Sequence, residues 1–120
     1  MKIVKALSLA LAMATGVMAS ASAADLFSSP EMCRLVQPAH LLTIESNDQL
    51  TDEVVRMMTE AVNVADSSAW IDSQRHAFTW ASEAKVACGK AYGYLRYNHR
   101  DDDYLNKCEC FYKRMQQYMY

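Results

Sequence analysis

Residues 101–120 read DDDYLNKCECFYKRMQQYMY. Tyr104, Leu105, Cys108, Phe111, Tyr112, Met115, Tyr118 and Met119 recur at steps of three and four, the spacing of one face of an α-helix. Asp101, Asp102 and Asp103 place negative charge at the positive end of that helix, and Lys113 and Arg114 lie nearer its other end. The stretch Lys107-Cys108-Glu109-Cys110-Phe111 sets two cysteines in the middle. At 3.6 residues per turn these are about 200° apart around the axis. Cys108 therefore belongs to the apolar face and Cys110 points nearly the other way. A bond between the two would break the helix.

Working outward, residues 69–97 predict a second helix whose inner seam is Ala77, Ala81, Ala84, Cys88, Ala91 and Leu95. Small residues on that seam let a neighbouring helix approach closely. Trp70, Ile71, Phe78, Trp80 and Tyr92 widen its apolar surface. Gly89 and Gly93 each cost about 1 kcal/mol of helix propensity relative to Ala, and mark either a close backbone contact or a bend. Asn98-His99-Arg100 is the turn that folds the last two helices into an antiparallel hairpin. Across it Cys88 should face Cys108.

The remaining cysteine, Cys33, lies in a stretch punctuated by Ser28-Ser29-Pro30 and Gln37-Pro38, which reads as an irregular or briefly helical arm. Of the three possible connectivities, the helical phases favour Cys88–Cys108 with Cys33–Cys110. The second bond would strap the arm across the outer side of the last helix. The swap, Cys88–Cys110 with Cys33–Cys108, follows if that helix is rotated slightly. A first helix over residues 49–65 begins at Ser46-x-x-Gln49, a capping-box pattern, with Thr51 as a rival cap. Leu50, Val54, Met57, Met58, Ala61, Val62 and Ala65 define its inner face. The expected fold is thus all-α: a small three-helix domain with a C-terminal antiparallel helical hairpin, stapled by two disulfides.

Residues 1–23 carry the three parts of a secretory signal: Lys2 and Lys5, an apolar stretch from Ala6 to Met18, and Ala21-Ser22-Ala23. That stretch is shorter than the roughly 20 residues a membrane span needs. Cleavage near Ala23 is expected, leaving an arm at 24–48 and a helical region at 49–120 that together make one mature domain. The expected location is the periplasm or the exterior, where four cysteines pair as disulfides, and no membrane span is expected after cleavage. Removing residues 1–23 takes away two lysines and no acid. The remaining 10 basic and 14 acidic residues give a net charge of −4, which argues against nucleic acid as a partner.

Catalytic chemistry has little support. His40, His76 and His99 are scattered, and no serine or cysteine sits in a nucleophile signature. A metal or thiol-redox role for Cys108 and Cys110 is the competing class, because soft ligands suit Cu(I) or Zn. Their divergence on a helix, with no βαβ pattern around them, opposes it. The Asp101–Asp103 run lacks the spaced ligands and glycine of a calcium loop. The expectation is no enzyme, no cofactor and no metal.

All seven tyrosines lie in the last 29 residues. Tyr94 and Tyr97 fall off the helix seam beside Arg96 and Arg100, and tyrosine is favoured at interfaces for its rigid area and hydroxyl. These four residues are the candidate surface for an unknown protein partner. In size, leader and helical disulfide core the chain is similar to small periplasmic helical proteins, among them acid-stress chaperones and immunity proteins against secreted toxins. That likeness is architectural and does not fix function. The expected role is protein binding, as an inhibitor, immunity protein or accessory subunit, with an acid-stress chaperone as the alternative.

Overall fold

In the computed structural model, which describes Cys33, Leu35 and residues 37–120, every regular element is helical. A short 3₁₀ turn (His40–Thr43) precedes α1 (Asn47–Ala65), α2 (Ser68–Ile71), α3 (Ala77–Leu95) and α4 (Asp102–Met119). Residues 1–23, and with them the expected leader, lie outside the described residues, as do most of residues 24–36.

Local chemistry sets where these helices start. The Ser46 hydroxyl accepts the Gln49 N–H at 3.4 Å and caps α1. Asp101 does the same for α4, accepting the Tyr104 N–H at 3.0 Å. The expected second helix is interrupted. Its first turn survives as α2, and the polar run Asp72-Ser73-Gln74-Arg75-His76 then leaves the helix. That run holds no apolar side chain to bury, and the Ser73 hydroxyl accepts the Arg75 N–H at 3.1 Å, a local turn that competes with helix. The Arg75 guanidinium then donates to the Met119 carbonyl at 3.2 Å, holding the break against the end of α4.

Helix α3 is the middle element. It packs extensively against both α4 and α1, which touch each other much less. Its alanine seam is buried as a unit, Ala77, Ala81, Ala84 and Cys88 being fully covered. Close approach follows: the Cα atoms of Cys88 and Cys108 are 4.5 Å apart across the hairpin. Large side chains on the neighbours fill the rest of the core, chiefly Leu50, Val54 and Met57 from α1, and Leu105, Phe111 and Met115 from α4. Neither helix glycine marks a close contact. A Cβ at Gly89 would meet only the Met58 sulfur at 3.9 Å, and one at Gly93 would meet nothing within 4 Å.

Helix α4 is enclosed on more than one side. Cys108 bonds to Cys88 on the α3 side, and Cys110 bonds to Cys33 on the side covered by the arm. Both sulfur pairs are buried even though Cys108 and Cys110 diverge by about 200°. The arm therefore supplies the wall that lets a second side of α4 leave solvent.

Candidate partner-binding surface

The turn between α3 and α4 is built to a defined plan. The Asn98 N–H donates to the Leu95 carbonyl at 3.0 Å, and the His99 N–H donates to the Tyr94 carbonyl at 3.1 Å. Asn98 between them is left-handed, with φ 56°. This is the Schellman arrangement, which satisfies carbonyls at a helix end and uses Asn where Gly is commoner. It fixes the backbone on which the expected surface residues sit.

The four expected residues do not form one patch. Tyr97 stands out from the turn with 86% of its surface exposed. Tyr94 lies back against α4, its ring stacked on Tyr104 at 5.8 Å and met edge-on by His99 at 5.3 Å. Arg96 is exposed, but it sits about 200° around the helix from Tyr94 and so faces a different direction. Arg100 is turned inward, donating to the Ile44 carbonyl and, at 3.2 Å, to the Glu45 carbonyl. It ties the turn to the loop ahead of α1 and is a structural residue.

Two lysines missing from the expected set join the tyrosines instead. Lys90 of α3 places its ammonium 5.0 Å from the Tyr104 ring centre and donates to the Tyr104 hydroxyl at 3.3 Å. Lys107 of α4 lies 5.3 Å from the same ring and pairs with Asp103 at 2.7 Å. Tyr94, Tyr104, Lys90 and Lys107 thus make a cation–aromatic cluster along the outer side of the hairpin, next to the turn that carries Tyr97. The sequence signal was present, since Lys90 and Tyr94 share one side of α3 at a step of four, with Tyr97 three residues further on in the turn. The partners on α4 became visible only once the two helices were in register.

The opposite side of α4 is occupied by a buried carboxylate. Glu109 is 1% exposed. One of its oxygens accepts the Leu41 N–H at 3.0 Å and the other accepts from the Lys113 ammonium at 2.7 Å. Burial raises the carboxyl's pKa, but hydrogen bonds from Lys113 and from the backbone of Leu41 and His40 outweigh it and hold the group below the usual carboxylate range. Asn106 accepts the Ala39 N–H at 3.4 Å beside it. Together they cap the 3₁₀ turn, whose free N–H groups face α4. Sequence reasoning did not single out Glu109, and its spacing of four from Lys113 was the available hint.

A second polar cluster braces α1 to α4. The Tyr112 hydroxyl donates to Glu60 and accepts from Arg56 at 3.0 Å and from Gln116 at 2.9 Å. Burial, and then donation to Glu60, raise the phenol's pKa. Arg56 also grips Glu53 at 2.6 Å, which lowers the Glu53 carboxyl below its ordinary value. Each group is committed to its neighbours, as in a brace. An open groove of about 300 Å³ adjoins the cluster, lined by Val64, Met115 and Met119 with Glu60, Asn63 and Gln116.

All four cysteines are in disulfides. Among the described residues, no three side chains of His, Cys, Asp or Glu come together as metal ligands, and no helix is long and apolar enough to cross a membrane. Comparison of the chain with protein-family models, with curated proteins and with solved structures finds no match.

Proposed function

We propose that this chain is an exported, disulfide-stapled helical protein that acts by binding another protein, as an inhibitor, an immunity protein or an accessory subunit, through the outer edge of the α3–α4 hairpin. One observation carries the reading: the Tyr97 ring is held in solvent on a turn whose backbone is fixed by the Schellman bonds. An exposed aromatic on a rigid turn has little backbone freedom left to lose on binding, so its contact area converts into affinity with a small entropy penalty. The two disulfides support an oxidising compartment, with the periplasm as the proposed address. They also occupy the sulfurs that a metal or thiol-redox role for Cys108 and Cys110 would use.

Site-directed photocrosslinking tests this. A benzophenone side chain installed at Tyr97 should give one discrete protein adduct in cells exporting the chain. The same probe at Thr59, on the exposed side of α1, should give none. Equal adducts from both positions, or an adduct from Thr59 alone, would remove the hairpin edge from consideration.

A further inference from the structure

We infer that the segment this edge receives is acidic, a stretch of a partner protein in which carboxylates alternate with apolar or aromatic side chains. The inference rests on the placement of the partner site at the hairpin edge proposed above, and it assigns that site a chemistry. Its basis is the arrangement of the two lysines around Tyr104.

Two ammonium groups share one tyrosine ring, at 5.0 and 5.3 Å from its centre. Like charges brought to one ring repel, and the attraction of a part-exposed ring for a cation is weak. An anion is the natural third member of such a group. Asp103 neutralises Lys107. For Lys90, no carboxylate lies within 4 Å of the ammonium among the described residues. Its polar contact is the Tyr104 hydroxyl, itself neutral. A chain with net charge −4 after loss of residues 1–23 has acids to spare, yet none is set beside Lys90.

The surroundings narrow the class of anion. Asp101, Asp102 and Asp103 follow the turn directly, and Asp101 is bound to the Tyr104 N–H and lies 4.0 Å from His99. A nucleic-acid strand carries a charge at every phosphate and binds by neutralising several at once. On this edge it would meet the three aspartates. A peptide that offers a carboxylate to Lys90, with Lys107 already paired to Asp103, can keep its remaining side chains on Tyr94 and Tyr97. Tyrosine is enriched at interface centres, and an exposed ammonium at the rim steers and selects a partner of opposite charge.

The test is fluorescence anisotropy with a labelled peptide of alternating Glu and Leu, an otherwise identical peptide of alternating Gln and Leu, and a labelled single-stranded oligonucleotide. Binding is measured to the oxidised mature protein, to a Lys90→Gln/Lys107→Gln variant, and to a Lys85→Gln control. Lys85 pairs with Asp66 of the residues after α1, away from this edge. Circular dichroism confirms that each variant folds. The Glu peptide should bind with a salt-sensitive affinity, the Gln peptide about tenfold more weakly, and the double variant should lose about tenfold while the control loses nothing. Equal binding of the Glu and Gln peptides, no binding of the Glu peptide, tighter binding of the oligonucleotide, or an unaffected double variant would each overturn the acidic assignment. If Tyr97 still crosslinks a protein while any of these holds, the edge stands as the site and only its partner chemistry falls. If Tyr97 gives no adduct, the location itself falls.

Discussion

On the arm side of α4, Glu109 is buried and each oxygen meets a donor, while Cys110 and Leu41 seal the surface around it. On the hairpin edge, Tyr97 stands in solvent and the Lys90 ammonium has no acidic partner among the described residues. The same helix borders both regions. The difference separates holding from binding. Groups whose hydrogen bonds and charges are complete within the chain stabilise it and have nothing left to offer, whereas incomplete groups on a rigid backbone are available to another molecule. Arg100 and Arg96 show the same contrast within the turn itself, since one is spent on two carbonyls and the other is free of them.

The contrast can be broken at several strengths. The largest effect should come from the strap. Replacing Cys33 and Cys110 together by Ala removes a closure across 77 residues of sequence, worth about 4.5 kcal/mol on the chain-entropy estimate. The matching change at Cys88 and Cys108, separated by 20 residues, should cost about 3 kcal/mol. Urea unfolding of the two double variants measures both, and a reversed order would show that the arm contributes less than its loop length implies.

Next comes the carboxylate. Glu109→Gln should cost about 1–3 kcal/mol, because Lys113 loses its counter-charge and the Leu41 N–H loses its charged acceptor. The change should also alter the pH profile. The Glu109 pKa is lowered on folding, so its contribution is fully present above the unfolded carboxyl value of about 4.3 and is lost as pH falls through the folded value. The native protein should therefore lose stability on the acid side more steeply than Glu109→Gln does. Glu53, which is also lowered, leaves some acid dependence in both. Superimposable profiles would show that the buried carboxylate is not linked to folding.

Smaller effects sharpen the exposed side. Gly93→Ala should stabilise by about 0.5–1 kcal/mol, since the added Cβ meets open space in a helix interior. Tyr97→Ala should change stability by less than about 0.5 kcal/mol and still abolish capture of the partner, a split that a merely structural tyrosine would not produce.

How much of this was readable beforehand depends on whether a feature is local. The caps at Ser46 and Asp101, the alanine seam and the opposed phases of Cys108 and Cys110 follow from spacing along one helix, and residue spacing carries them. The break at 72–76 was missed because aromatic residues on both sides suggested a continuous helix, while the decisive turn at Ser73 is a weak local preference. Glu109 was unreadable as a buried group because its burial is made by the arm, 68 positions away in sequence. The candidate surface was half legible for the same reason. Tyr94 and Tyr97 showed as off-seam residues, but the roles of Lys107, Tyr104 and Arg100 depend on what lies opposite them.

The two cysteines of α4 are fastened to different parts of the chain, Cys108 to α3 and Cys110 to the arm, and neither bond covers the hairpin edge. Cleavage after Lys and Arg separates Cys88 from Cys108 and cleavage after Glu109 separates Cys108 from Cys110, so non-reducing digestion of the unfolded, thiol-blocked protein followed by mass spectrometry reads the connectivity directly. One linked species should join the peptides of Cys88 and Cys108, another those of Cys33 and Cys110, with no blocked thiol. A link between Cys88 and Cys110, or free thiols on Cys108 and Cys110, would contradict this pairing.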